Sequence, residues 1–216
     1  MLSNMLLATS RNIRRFRDLG LGVTGSGSSL TWTSADLGEA TSDRVIVVAV
    51  AGASAGSRQV SGVTIGGSAA TLAARSSSFT MATGIYYLAV AAGTTANIVA
   101  SFTGSMDDIA ITAYSLTGWG TVSVYDSGTL SSTVTTMSLT GFETSAGGLH
   151  VSAKASANAG GSPTVFGYGA LDSSHNGTAG YLRLSSHWAT PDDTGATSGI
   201  SSGSSSDKAI TSVSFI

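Results

Sequence analysis

Few side chains in this chain have the type and spacing that chemistry needs. Gly52-Ala53-Ser54-Ala55-Gly56 has the G-x-S-x-G form in which a serine hydroxyl, held on a sharp turn, attacks an ester carbonyl. That turn leads from a strand into a helix, whose N-terminal N–H groups help hold the oxyanion. Here Ser57-Arg58-Gln59-Val60 follows, which reads as the start of another strand. Glycine and serine are so common that about 0.6 such matches are expected from composition alone. Ser54 is therefore read as a loop residue, a small serine esterase is the third-ranked function, and no catalytic residue is assigned.

His150, His175 and His187 have the chemistry of a base or a metal ligand, but no spacing joins them, and each reads as a surface histidine. Asp107-Asp108, Asp172 and Asp192-Asp193 offer oxygens of the kind calcium takes. They lack the spaced D-x-D-x-D-G pattern, and aspartate at turns has a local hydrogen-bonding reason. No metal and no cofactor is expected. Trp119, Tyr168, Tyr181 and Trp188 could stack on sugar rings, since an aromatic face with a polar edge suits a carbohydrate. Trp32 and Trp188 read as core by alternation. Trp119, between Gly118 and Gly120, reads as exposed, so Trp119 and Tyr181 are the candidate glycan contacts. Asn176-Gly177-Thr178 is formally a glycosylation sequon, but a hairpin turn explains it without a glycan.

The elements that must position these residues are strands. The chain has 216 residues, with 28 Gly, 2 Pro, no Cys and only 10% charged residues. An ordinary domain carries about 25% charged residues. Ser and Thr together number about 65, close to 30% of the chain and well above usual usage. The length suits one large all-β domain, or a domain with a short arm. Absence of cysteine removes disulfides and thiolate sites. A net charge of −2 and a pI near 5.8 argue against generic nucleic-acid binding. No apolar run reaches the roughly 18 residues that span a bilayer as a helix, so no membrane insertion is expected. The first apolar residues precede the arginines, the reverse of a signal peptide, so none is expected.

Charge divides the chain. Residues 1–20 carry four Arg and one Asp, a balance of +3; the remainder carries six basic and eleven acidic residues, a balance of −5. This predicts a basic N-terminal arm over 1–20, with Arg11, Arg14, Arg15, Phe16 and Arg17 as anchoring residues, and a single β-sandwich domain over 21–216.

From residue 22 the texture is short β-rich runs separated by turn residues. It predicts strands at 29–34, 44–52, 59–65, 69–76, 83–91, 96–103 and 108–116. More are predicted at 120–126, 132–140, 147–156, 164–170, 179–188 and 207–216. Such spacing without helical patterns reads as an antiparallel β-sandwich, a jelly roll or a related Greek key. Val45 to Val50 is apolar on both faces and predicts a central strand. Leu149, Val151, Ala153 and Ala155 alternate with His150, Ser152, Lys154 and Ser156, which predicts a strand with one wet face. Gly66-Gly67 and Asn176-Gly177 predict hairpin turns, the second joining 164–170 to 179–188. The Ser/Gly-rich stretch 192–206 reads as a loop. The final strand should pair into a sheet. Because small residues dominate even the strands and each buries little area, subunit contacts in a homo-oligomer are expected to add stability.

Val63-Thr64-Ile65-Gly66-Gly67-Ser68-Ala69-Ala70-Thr71-Leu72, followed by Gly84-Ile85-Tyr86-Tyr87-Leu88-Ala89-Val90, resembles small β-sandwich virion proteins of tailed bacteriophages and phage-like gene-transfer particles. The resemblance covers roughly residues 40–117. It implies a structural role at the capsid, neck or tail, as a spike, fibre or decoration. It further implies other virion proteins as partners and, in some members, contact with host surface polysaccharide. It supplies no site residues. The expectation is a non-enzymatic virion part, made in the bacterial host cytoplasm and anchored by its arm. Loops near 118–120, 171–178 and 190–206 would face outward. The rival from another class is a free carbohydrate-binding module or adhesin.

Overall fold

The computed structural model describes residues 14–157, 164–167, 170–176, 179–188 and 196–216. It is all-β, with no helix among the described residues. The strands are β1 (Arg15–Asp36), β2 (Val45–Ala53), β3 (Val60–Ile65), β4 (Ser68–Ala69), β5 (Thr71–Ser77), β6 (Met81–Ala89), β7 (Thr95–Thr117), β8 (Val124–Phe142), β9 (Leu149–Ala157), β10 (Thr164–Gly167), β11 (Ala170–Asn176), β12 (Gly180–Trp188) and β13 (Ala196–Phe215). One sheet runs β4-β3-β7-β2-β6-β5, with β1 paired to β7; the other runs β10-β13-β9-β12-β11, with β8 paired to β13. All pairs are antiparallel.

The expected sandwich forms where the two sheets face each other. β2 is buried along its whole length between β6 and β7, as its two-faced apolar run requires. Val47, Ala49, Ile85 and Tyr114 from the first sheet meet Val151, Leu182, Leu184 and Val213 from the second. Thr83 and Thr211 hydroxyls join across this core at 2.7 Å. Their bond satisfies two polar groups that burial would otherwise leave costly.

Each sheet also curls over its outer face. In the first, β7 is one 23-residue strand where two were expected, at 96–103 and 108–116. Its second half pairs with β2, and its first half pairs with β3. The fold-over places Val63, Ile98, Ala100 and Phe102 on Ile46, Val48, Ile109 and Ile111, forming a second apolar core. β1 bends with it, through register shifts at Asp18/Leu21 and Gly25/Gly27 among others. A Cβ on Gly22 would lie 1.9 Å from the Trp32 ring, so glycine lets the two halves of β1 meet. Trp32 is partly buried there, as alternation indicated.

The second sheet does the same with β8 and β13, again two long strands. β8 joins the runs expected at 120–126 and 132–140. β13 begins at Ala196, so the described part of the stretch expected as a loop is strand, and 192–195 lie outside the described residues. Register jumps from Ser201↔Thr136 to Ser206↔Val134. Beyond this shift the ribbon turns back over the sheet. Leu139 comes onto Gly128, where a Cβ would stand 2.6 Å from it.

This curl corrects the wet face expected of β9. His150, Ser152, Lys154 and Ser156 are all fully buried. The alternation is present, but the returning half of β13 covers the polar side: Ser198 meets Ser152 at 2.9 Å, and Ser152 meets Ser212 at 3.0 Å. The arm boundary at residue 20 is corrected too. From Arg15 the chain is already β1, with Arg15↔Thr117 and Phe16↔Leu116 in register; residues 1–13, including Arg11, lie outside the described residues.

Two hairpin expectations divide. Gly66 and Gly67 adopt φ of 58° and 82° between Ile65 and its partner Ser68, the left-handed pair that a two-residue hairpin requires. Near Asn176 the hairpin joins β11 to β12, whereas β10 pairs with β13. The strand before that turn was expected at 164–170. Gly177 and Thr178 lie outside the described residues.

Candidate functional site

The basic segment is built into one end of the body. Arg15 and Phe16 sit beside the close of β7, where Leu116 also pairs with Val45 at the start of β2. The Arg14 guanidinium donates to the Gly147 carbonyl at 3.0 Å and lies 4.9 Å from the Trp119 ring centroid. Arg17 pairs with Asp36 at 2.8 Å, both well exposed. The Arg17 hydrogen bond, joined by one from the Gly38 N–H, holds the Asp36 carboxyl below its ordinary value. Phe16 is no free anchor: it is partly buried and stacks on Tyr114 with centroids 5.5 Å apart. Arg15, Arg17, Glu39 and Thr117 line a hollow of ≈ 220 Å³.

Trp119 is corrected from exposed to buried, at 6% exposure. Gly118 and Gly120 both take left-handed backbone, φ 78° and 69°, and Gly118 donates its N–H to Asp43 at 2.7 Å. This turn aims the ring into the core between the sheets, where its indole N–H donates to the Arg15 carbonyl at 3.2 Å. Tyr181 alternates with the inward Leu182, so it stands on the opposite face of its sheet, half-buried, with Arg183 5.5 Å away. The two candidate glycan contacts are therefore not brought together. Tyr168 lies outside the described residues, and of the Trp188 residue the description covers the backbone.

Ser54 follows β2 and leads by a loop into β3, giving strand–loop–strand. Its hydroxyl is buried and donates to the Gly56 carbonyl at 2.6 Å. His150, read as surface, is fully buried; its strand places it in register with His187. His175 lies elsewhere, its Nε2 3.5 Å from a carboxylate oxygen of Asp108. Asp108 also accepts the Ala179 N–H at 2.6 Å, so this carboxylate ties β7 to the β11–β12 hairpin. Asp192-Asp193 lie outside the described residues. Among the described residues no three His, Cys, Asp or Glu side chains gather as metal ligands.

At the other end of β2 lies an arrangement that reading the sequence missed. β3 and β5 are edge regions of the curled first sheet, and a seam runs between them. Three hollows of ≈ 410, 200 and 550 Å³ follow one another along it. Arg75 lines the first two, and Gln59 and Ser77 line the last two, so they are continuous. Arg75 donates to the Val60 carbonyl at 3.1 Å across the seam. Arg58 donates to the Ser57 carbonyl at 2.9 Å and lies against Gly104, where a Cβ would be 2.3 Å from its Nε. Phe79 is 64% exposed at the tip of the β5–β6 turn. That turn is fixed by Ser78 N–H to Met81 carbonyl at 2.8 Å and Met81 N–H to Ser78 hydroxyl at 3.1 Å. The sequence signal was weak, since nothing local distinguishes Phe79 from a core aromatic.

Arg44 is the clearest structural cation. Fully buried, it donates to the carbonyls of Val90, Gly38, Glu39, Ala92 and Gly93, pinning two loops. Burial lowers its pKa below the ordinary arginine value. No protein-family model matches this chain, and no curated protein sequence matches it.

Proposed function

We propose that this protein is a non-enzymatic structural part of a bacteriophage or phage-like particle, attached through its basic N-terminal segment and displaying the opposite end of its β body. The observation that carries this reading is the separation of two surfaces along β2. Arg14, Arg15 and Arg17 stand by the Val45 end. Arg58 and Phe79 stand by the Ala53 end, where Met81 pairs with Ala53. Nine extended residues separate them, roughly 30 Å. The strands between are tied by ladders and inter-sheet packing, so a load or contact at one end is held rigidly relative to the other. In this reading other virion proteins meet the basic end, and the body belongs to a symmetric homo-oligomer.

The structure changes how the anchoring idea is tested. Removing residues 1–20 would cut into β1 and expose the β7 edge, so the informative variant removes 1–13 and replaces the exposed Arg14, Arg15 and Arg17 with Gln, leaving β1 whole. This variant should remain folded and fail to join particles, whereas normal incorporation would overturn the anchoring role. Immunogold labelling of a lysate of the source culture should place the protein on capsids, necks or tails. Gold confined to cells or free material would overturn the virion reading. The second reading, a free carbohydrate-binding module, is favoured by the seam that Phe79 overlooks.

A further inference from the structure

Beyond residue 20 the body is acidic, with six basic side chains against eleven acids. Four of the six, Arg44, Lys154, Arg183 and Lys208, are buried. The two that remain exposed, Arg58 and Arg75, both line the β3–β5 seam. Among the described residues, no Asp or Glu lines any of its three hollows, and neither guanidinium meets a carboxylate. All the exposed positive charge beyond residue 20 is thus gathered into one groove, at the end opposite Arg14, Arg15 and Arg17.

We propose that this seam binds an acidic oligosaccharide, with sugar carboxylates on Arg58 and Arg75 and a ring face on Phe79. Each guanidinium donates to one carbonyl, and Arg75 also meets the Tyr86 hydroxyl; of the five N–H donors on each, this leaves others over for a carboxylate. Phe79 presents an apolar face on a turn locked by two hydrogen bonds, so little conformational freedom is lost on stacking. Hydroxyl and amide groups from Ser57, Gln59, Ser77 and Thr103 line the floor between, matching the hydroxyls of a sugar chain. The groove follows β5, whose seven residues extend about 23 Å, long enough for several units of a linear polymer. The two hollows nearest Phe79 are lined by Ser, Thr and Gln beside the arginines, which favours a saccharide over a peptide with apolar side chains.

The assignment deepens the carbohydrate-binding reading of the displayed end and is independent of attachment to a particle. The test uses the full chain free in solution, so its failure and the failure of the virion reading are separable. Calorimetric titration with oligogalacturonate should show saturable binding that weakens with added salt, while maltohexaose, which is neutral, should not bind. Arg58→Gln, on an exposed loop, and Phe79→Ser, at an exposed tip, should each weaken binding about tenfold with the melting temperature unchanged. Arg75→Gln should do the same, although its bond to Val60 links it to the fold. Absence of oligogalacturonate binding, or binding unaltered by both Arg58→Gln and Phe79→Ser, would overturn the proposal. Equal or tighter binding of poly-glutamate or single-stranded DNA would overturn the saccharide assignment.

Discussion

Trp32 lies on Gly22 in one half of the molecule and Leu139 lies on Gly128 in the other. Both sheets use one device: a long strand bends, and a glycine in its first half receives a large side chain from its second. The interiors so enclosed differ. The first curl is filled by Ile46, Val48, Ile98, Phe102, Ile109 and Ile111. The second has a small apolar group, Met137, Ile200 and Ile210, beside buried Ser152, Lys154, Ser198, Lys208 and Ser212. An apolar interior is held by area and fit, and is insensitive to which neighbour supplies the contact. A polar interior holds only if each group finds its partner. Ser156 meets Ser206 at 3.2 Å, and the Lys208 ammonium donates to the Ser206 hydroxyl at 2.8 Å and to the Val134 carbonyl.

The largest expected effect lies in the apolar curl. Ile98→Ala should cost about 3 kcal/mol by urea unfolding, through lost burial and the cavity left behind. Ser152→Ala, at the matching depth of the polar curl, should cost about 1 kcal/mol, because Ser198 and Ser212 each lose one partner. Reversed magnitudes would break the comparison. The glycines sharpen it next. Gly22→Ala should cost about 2 kcal/mol, since the rigid Trp32 ring must move; Gly128→Ala should cost nearer 1 kcal/mol, since Leu139 can change rotamer.

The smallest effect is in pH dependence. Burial lowers the Lys208 pKa below 10.5, with Asp207 opposing. The unfolded chain then binds more protons than the folded one between the lowered value and 10.5, so stability should rise with pH across that window. Near pH 10 Tyr86 opposes this: burial raises its pKa above 10.0, and that contribution is lost as the pH climbs through the raised value. In acid, Asp36 has a lowered pKa, so its exposed pairing with Arg17 contributes above the ordinary carboxyl value and fades as pH falls through the lowered one. Chemical denaturation at rising alkaline pH up to 10 should show the rise, and Lys208→Gln should flatten it.

How much of this was legible follows from what alternation encodes. Val45 to Val50 declared a central strand because apolar residues on both faces leave no other place for it. Gly66-Gly67 declared its turn through backbone freedom alone. The period of two in β9 was equally clear, but it says only that two faces differ. Whether the polar face meets water or a returning strand depends on residues some fifty positions away in sequence, as Ser152 and Ser198 show. The first half of β13 was hidden because serine and glycine also compose loops; Ser198 and Ser206 here serve a polar interior. Trp119 was misread because flanking glycines mark a turn without fixing which way the ring points. The seam of Arg58, Arg75 and Phe79 was invisible because the curl of the first sheet, rather than any motif, assembles it.

The central structural claim is that the β8–β13 ribbon converts the polar face of β9 into an interior. The chain's only two lysines, Lys154 and Lys208, both lie in it, fully buried. Amine acetylation of the folded protein, read by peptide mass spectrometry, measures this directly. Both lysines should stay unmodified while the protein is folded and react together once guanidinium unfolds it. Rapid acetylation of Lys154 in the folded protein, at the rate seen in the unfolded chain, would contradict the claim and return β9 to a strand with one face in water.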